Sequence, residues 1–517
     1  MPIETLIKPS QYHDSVSLML TARALADREE VEDAAVVMAT PANKAILEEA
    51  GLLSKAAQQA GVNDLVIIVR GKDPKALKIA LEAAESLLTK KKSTQSGAAY
   101  RPKTIHSALS ADPELNLAVI SVAGRYAAAE AWQALKNGLH VLLFSDNVSI
   151  EDEIALKTYA KEQGLLLMGP GAGTTLLNGI ALGFANQIPS GPVGIVSAAG
   201  TGLQEVSTLL ARFGSGITQG IGVGGRDLNR QVGGMMMLEA LAALQKDPDT
   251  QVIVLISKPP SPDVAQKVLH AAQTNLKPTV VCFLGGELEN LDQNLFAANT
   301  LQEAAYLAAV LSGLEMPDLQ TWLAEQQSRL QALAQDLRTQ LASGQRYLRG
   351  LYSGGTLCYE TQSIWKKMLK DPVYSNAPFP GNSVLEDPTR SIANSAIDLG
   401  EEEFTIGRPH PMIDLDLRLR RMSQEAQDSQ VAAILLDVVL GYGAHPDPDS
   451  LLAPAIRELK DRAHRQGREL IVISSVVGTE GDPQKRSKTI LALENAGAVV
   501  CESNAAAAML AGYLFSD

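Results

Sequence analysis

Cysteine is scarce in this 517-residue chain: Cys282, Cys358 and Cys501 are far apart and odd in number. They can build neither a disulfide framework nor a zinc-binding spacing, so a reducing compartment is expected, namely the cytoplasm. Aromatic residues make up only 4% while Ala, Leu, Val and Gly abound, which suits helices packed on buried parallel strands better than a β-sandwich. A basic stripe is missing too, since 45 Lys and Arg face 58 Asp and Glu, a net charge of −13. A nucleic-acid partner is therefore not expected. No uncharged apolar run of about 18 residues occurs, so no membrane span is expected. Acid and proline interrupt the opening MPIETLIKPSQYHDSVSLM, which excludes a signal peptide from the reading. No metal-ligand cluster is visible, and neither metal nor flavin is expected.

What is present is a strand-and-helix alternation long enough for about three or four domains. Residues 1–95 read as a small α+β module, ferredoxin-like, with strands at Glu4–Lys8, Glu32–Met38 and Asp64–Arg70 and a helix at Asp14–Leu25. Lys90–Tyr100 (KKKSTQSGAAY) reads as a linker. Residues 110–188 form a Rossmann-like βαβαβ unit with strands at Leu117–Val122, His140–Ser145 and Leu165–Met168. Its spacing implies a parallel sheet with ligands beyond the strand ends. A dinucleotide is not favoured, because no GxGxxG falls in this unit, and the GIGVGG at Gly220–Gly225 in the next one opens no helix directly. Residues 189–345 and 346–517 read as two flavodoxin-like sheets, the first followed by a helical connector at Leu301–Leu348 expected to be a solvated bridge. Residues 362–395 read as an irregular insertion covering one end. The fold class is α/β throughout.

Gly191–Glu205 (GPVGIVSAAGTGLQE) reads as a strand, a small-residue turn and a helix start. Such a turn aims free backbone N–H groups at one point, and the helix dipole favours an anion there. Ser197, Ala198, Ala199, Gly200 and Thr201 form this first seat. Gly355-Thr356-x-x-x-Glu360 repeats Gly200-Thr201-x-x-x-Glu205 at the head of the last domain, which suggests two related domains. Gly354, Gly355 and Thr356 join the candidate anion-binding residues. The Gly-rich turn at Leu440–Asp447, with Gly441 and Gly443, is expected to be the second seat, facing the first. His445 in that turn and His410 in RPHPMID are candidate acid–base groups or phosphoryl acceptors, because imidazole titrates near neutrality. Glu205 is a candidate to orient a base. Gly224, Gly225, Arg226 and Asp227, with Lys258, stand at strand ends, where Arg226 and Lys258 suit a carboxylate or phosphate clamp. A solvated surface charge is the competing reading for both.

These residues resemble a known family. GPVGIVSAAGTGLQE, GVGGRDL and VIVLISKPP resemble the ligase domain of the succinyl-CoA synthetase alpha subunit. VISVAGRYAAAEAWQALKNGLHVLLFSDNVSIEDEIALK, closing on GPGAGT, is similar to the CoA-binding domain before it. SGGTLCYE, GRPHPMID and LLDVVLGYGAHPDP resemble the carboxyl domain of the beta subunit. That order on one chain, after an extra N-terminal module, resembles the FdrA family over nearly the whole length. The resemblance implies an acyl-CoA-synthetase-like protein with CoA near Gly124, Arg125, Ser145, Asp146, Asn147, Gly173 and Thr174. It implies a phosphoryl relay between two helix N-termini, and a small anionic substrate such as an acyl or carbamoyl phosphate. A homo-oligomer, with possible partner subunits, is also implied, since some FdrA-family members are subunits of oxamate carbamoyltransferase. The chain departs from the synthetases at Phe283-Leu284-Gly285-Gly286-Glu287, where no histidine follows the strand, and in lacking an ATP-grasp domain. Ala199 replaces the family's Ser, and Gly171-Ala172 replaces its Asn/Asp-Cys pair. A self-contained ATP-driven ligase is therefore not expected. An acyl-CoA-synthetase-like transferase, a carbamoyltransferase subunit and a non-catalytic scaffold remain as readings.

Overall fold

A computed structural model describes residues 1–11, 13, 15–89, 102–274, 276–286 and 294–516. The expected linker at Lys90–Tyr100 lies outside the described residues. The first domain is a three-stranded antiparallel sheet with Leu65–Gly71 between Ile3–Lys8 and Val31–Met38. Side chains of the central strand alternate between two cores: Leu65, Ile67 and Val69 meet the Ser15–Ala26 and Pro74–Thr89 helices, while Val66 and Ile68 meet Pro41–Glu49. Helices thus cover both faces of three strands, so the small α+β module is present but without the expected ferredoxin-like arrangement.

The second domain carries parallel strands Leu117–Ile120, His140–Leu143 and Leu167–Met168. The chain then leaves it early. The hairpin Thr174–Leu177/Ile180–Gly183 pairs antiparallel with Ile217–Gly222 and extends the third domain's sheet. In sequence it continued the second domain.

The third and fourth domains are built alike. In the third, Ser190–Ser197 lies between Val252–Ser257 and Ile217–Gly222; in the fourth, Tyr347–Tyr352 lies between Asn394–Asp398 and Val431–Val439. All these neighbours run parallel. Each first strand therefore stands at the switch point where the chain reverses its direction of travel across the sheet, the place where such folds collect ligands. From it springs a helix, Gly200–Phe213 in one domain and Gly355–Met368 in the other. Buried side chains from both domains share one core.

The segment expected to be one solvated bridge is two helices: Leu319–Arg338 is largely solvated as expected, with only Leu330 and Ala334 buried, whereas Leu301–Leu311 is not. Leu301, Ala304, Ala305, Ala308 and Ala309 are buried in the shared core. The expected insertion holds the last turns of the Gly355 helix and the edge strands Val373–Ser375 and Ser383–Val384.

A crossed exchange fastens the two domains. Glu205 of the Gly200 helix accepts the backbone N–H of Asn504, first residue of the fourth domain's last helix (2.9 Å). Glu360 of the Gly355 helix accepts the N–H of Leu301, first residue of a third-domain helix (2.7 Å), and the Asn504 amide (2.8 Å). Each carboxylate thus meets the positive end of a helix from the other domain. Burial is the dominant cause raising both carboxyls above the usual range, Glu360 to about 8. The folded state then holds the Glu360 proton more tightly than the unfolded chain, whose value is near 4.5. Its contribution is complete below that value and is lost as pH rises through about 8, on the order of several kcal/mol across the window. Glu360→Gln should therefore gain in melting temperature over the wild type as pH rises from about 5 to about 9. A difference that stays flat with pH would refute the assignment.

Candidate functional site

The first seat forms where Ser197 ends its strand. Ala198 N–H bonds Ile256 O, and Ser197 Oγ accepts the Ala199 N–H (3.0 Å), which fixes the turn. Leu203 N–H is the first to bond within the helix, to Ala199 O. The N–H groups of Gly200, Thr201 and Gly202 come before it, and among the described residues no side-chain oxygen accepts from them. Thr174 stands beside Gly200, with Oγ1 3.4 Å from where a Cβ would lie. Gly225 borders Ala198 O across the turn.

The second seat is the Gly355 helix. A Cβ on Gly354 would lie 2.8 Å from Thr201 Cγ2, and one on Gly202 would lie 3.2 Å from Thr356 Cγ2. The two helix N-termini therefore abut, and only glycine permits the approach. Two positive dipole ends in contact favour negative charge between them. On the fourth-domain side the protein supplies that charge itself. Asp437 accepts the N–H groups of Ser353 (2.8 Å) and Gly354 (2.7 Å) and the Ser353 hydroxyl (3.0 Å), and pairs with buried Arg418. Asp398 crowds Gly355, leaving no room for a Cβ. Among the described residues no side-chain oxygen accepts from the first-turn N–H groups of either helix, but Asp437 and Asp398 set carboxyls against the Gly355 end, which leaves the Gly200 end as the better seat for a ligand anion.

Around the contact stand groups able to move protons. Burial raises Asp398 to about 7, against the opposing charge of Lys258, which reaches across from the third domain. Lys258 Nζ also sits 5.6 Å from the centre of the Tyr359 ring. His410 Nδ1 accepts the Met412 N–H (3.2 Å), so in the neutral ring Nε2 carries the proton. A Cβ on Gly400 would lie 2.9 Å from His410 Nε2 and 3.1 Å from Asp398 Oδ1, which puts both on the same small space. Burial lowers His410 to about 4, with Asp437 opposing and Arg418 assisting. Its ring packs 5.3 Å from Phe184, which packs 5.5 Å from Phe144 at the second domain's strand end.

Other sequence candidates fall elsewhere. Gly441 and Gly443 open no helix, because the next one begins at Asp449. Their positive φ angles, 109° and 80°, let Tyr442 pair with Ala185, whose carbonyl would meet a Gly441 Cβ at 2.5 Å. His445 bonds through Nδ1 to the Asp447 N–H, and burial and the charge of Arg23, from the first domain, lower it. It belongs to that turn and not to the paired helix starts. Glu205 lies a turn and a half into its helix and holds Asn504. Arg226 ties the second domain to the third through Glu153 (2.9 Å) and Val148 O (2.7 Å). Asp227 caps the Met235–Lys246 helix at Met236 and Met237 and pairs with buried Lys157. Both side chains are engaged by protein groups in this structure. Gly224 packs on Pro170 O, joining the same two domains.

The second domain keeps its own converging loops. Asp146 and Asn147 fold so closely over the start of the Gly124–Lys136 helix that a Cβ on Gly124 would strike both carbonyls. Ser145 Oγ bridges to Val122 O (2.6 Å) and Val122 N (2.9 Å). Arg125 lies over the Tyr126 ring, and Val122 and Tyr126 are exposed beside it. Of Gly173 and Thr174, expected with this group, Thr174 stands beside Gly200 of the first seat and its Oγ1 donates to Phe184 O (2.7 Å), while Gly173 O accepts the Phe184 N–H.

The sequence reading passed over Asp398, Asp437 and Arg418. A carboxylate inside the nine-residue apolar run VAAILLDVV was the available signal for Asp437, because a charge there requires a buried partner.

Family profiles match three stretches: "AllF, heavy metal-associated domain" at residues 1–103, "CoA binding domain" at 190–285 and "CoA-ligase" at 351–514. The CoA-binding match falls on the third domain, not on the 110–188 stretch to which the sequence reading gave CoA. Residues 1–103 contain no cysteine, and among the described residues no group of three His, Cys, Asp or Glu is placed to hold a metal. The donors of the first domain therefore do not fit a soft-metal site. The chain is 45% identical to "Uncharacterized protein YahF" of Escherichia coli over 99% of its own length and 98% of that protein's. It is 26% identical to the succinate–CoA ligase alpha subunit of Methanothermobacter thermautotrophicus, over 28% of this chain and 49% of that one, so it spans about half of that relative. An ATP citrate lyase from Methanothrix soehngenii, solved with citrate and coenzyme A, aligns over 80% of this chain and 84% of that one, with 13% identity and a TM-score of 0.36. No helix among the described residues is long and apolar enough to cross a membrane.

Proposed function

We propose that this chain, which belongs to the family of the Escherichia coli protein YahF, is an acyl-CoA-synthetase-like transferase of the FdrA type. It moves an acyl or carbamoyl group to or from phosphate at the abutting helix starts. The observation that carries this reading is the contact of the two helix starts, with carboxyls of Asp437 and Asp398 set against the Gly355 end and, among the described residues, no side-chain acceptor on the N–H groups of Gly200, Thr201 and Gly202.

In this reading the phosphate group sits on those N–H groups. His410 directs Nε2–H at the carbonyl oxygen, where a preorganised donor stabilises developing negative charge. A phosphate oxygen attacks the carbonyl carbon, the bond from carbon to the leaving group breaks, and protonated Asp398 delivers its proton to that group. Lys258 balances the charge left on Asp398. CoA, where it is the acceptor or donor, lies over Gly124 and Asn147 with Arg125 at its phosphates, and the Phe144–Phe184–His410 stack leads from there to the reacting centre. Carbamoyl exchange, as in an oxamate carbamoyltransferase subunit, is favoured over ATP-driven ligation because no histidine follows the Thr279–Phe283 strand in Leu284-Gly285-Gly286-Glu287.

CoA, acetyl phosphate and carbamoyl phosphate should each raise the melting temperature progressively with concentration, by about 2.7 kcal/mol of stability at a hundredfold excess over Kd. No response to any of the three would leave the scaffold reading. Oxamate-dependent transfer, assayed with and without co-purified partners, separates carbamoyl from acyl chemistry.

A further inference from the structure

The far end of the Gly200 helix carries a feature that the transfer reading does not use. A cleft of about 410 Å³ opens between the third and fourth domains, with Arg212 on one wall and Thr479 and Arg486 on the other. Arg212 lies in the last turn of the helix, about 18 Å along its axis from Gly200.

Backbone carbonyls hold one edge of each guanidinium: Arg212 Nη2 donates to Glu502 O (2.6 Å) and Arg486 Nε to Val476 O (3.1 Å). Among the described residues neither has a carboxylate within 4 Å, the distance that defines an ion pair here. The acids that border the cleft are engaged elsewhere. Both oxygens of Glu480 are taken by Ser487, through its N–H and its hydroxyl (2.8 Å each). Glu502 Oε1 pairs with Arg329 (3.1 Å). Glu205, behind the cleft, holds Asn504. Burial lowers both guanidiniums and the charge of Arg212 lowers Arg486 further, while the charges of Glu205 and Glu502 oppose the shift at both and Glu480 opposes it at Arg486. Two cations facing one cleft repel each other, and a shared anion relieves that repulsion. Most of the five N–H donors of each fork remain free, an arrangement matched to a tetrahedral oxyanion.

We propose that Arg212 and Arg486 form a second anion site, for a phosphoryl group, that bridges the third and fourth domains. The site stands independently of the transfer reading. Occupancy draws the two domains together at the end of the Gly200 helix opposite the seat, so phosphate acts there as a ligand of the domain interface and not as a reactant.

The test pairs stability with location. In phosphate-free buffer Arg212→Gln/Arg486→Gln loses the bonds to Glu502 O and Val476 O along with the repulsion, so its own melting temperature is the baseline and the shift on adding phosphate is the readout. Added inorganic phosphate should raise the wild-type melting temperature clearly more than that of the variant. Crystals soaked in tungstate should show a heavy-atom peak between the two guanidiniums in the wild type and none there in Arg486→Gln, with any peak at Gly200–Gly202 unchanged. Parallel titration with glycerol 3-phosphate distinguishes a phosphoester from the free anion by which protects at lower concentration. Three results would overturn the proposal: variants less stable without phosphate and equal in response, which marks a structural pair; a tungstate peak at the seat but not at the arginines; or a peak at the arginines with no change in the phosphate response, an adventitious ion only.

Discussion

Asp437→Ala is expected to cost about 3–5 kcal/mol of stability, the loss that follows when one member of a buried ion pair is removed. The carboxylate is fully buried and accepts from Ser353 N–H, the Ser353 hydroxyl, Gly354 N–H and Arg418. Its removal leaves the Arg418 guanidinium buried with only the Asp437 carbonyl as acceptor at 2.5 Å, and Arg418 Nε is already without a partner. Two backbone N–H groups also lose their acceptor, and each unsatisfied group costs about 1–3 kcal/mol. Asp437→Asn keeps the shape and part of the hydrogen bonding, so it should fall between wild type and alanine. Urea denaturation checks the order. A loss below about 1 kcal/mol for alanine would mean that the pair does not hold the turn.

The second large effect is catalytic. His410→Gln should lower turnover by about 10²–10⁴-fold, the usual worth of a positioned proton-handling group, with the melting temperature little changed. His445→Asn should leave turnover within a few-fold of wild type, because its ring serves the Asp447 turn. The pH profile separates the two buried groups beside the seat. His410, lowered to about 4, stays neutral through the ordinary assay range and contributes no inflection there. Asp398, raised to about 7, loses its proton in that range, so the rate should fall as pH rises through about 7. Asp398→Asn should remove that fall along with most of the rate. Turnover that survives His410→Gln but not His445→Asn would return the chemistry to the Gly441 turn.

Much of the scaffold was readable because buried parallel strands announce themselves as apolar runs. VIVLIS and VAAILLDVV were found where the structure has them. The repeat of Gly200-Thr201-x-x-x-Glu205 at Gly355-Thr356-x-x-x-Glu360 was also legible, and the structure brings the two glycine starts into contact. The pairing of seats was not. A strand followed by glycines looks the same whether a helix opens at once, as at Gly355, or only at Asp449, well past Gly443. The Thr174–Gly183 hairpin was read with the domain before it because chain order, not strand pairing, was the only guide. The Leu301–Leu311 helix was taken for a solvated bridge although its Ala-rich face is buried: Ala packs closely but contributes little to an amphipathic pattern. Glu205 reads from sequence as a candidate to orient a base because its actual partner, Asn504, is distant in sequence.

The crossed grip of Glu205 on Asn504 and of Glu360 on Leu301 bears on how the chain comes apart. Each half carries an acceptor that the other half needs, and both acceptors are buried. Opening either domain strips a helix terminus from its neighbour, so melting should run as one concerted transition and not as two steps. The same exchange bears on assembly. Halves severed in the exposed stretch before Leu319 would each be left with an unmet helix end, and re-pairing would restore both at once. A single chain makes that meeting intramolecular, at a high effective concentration.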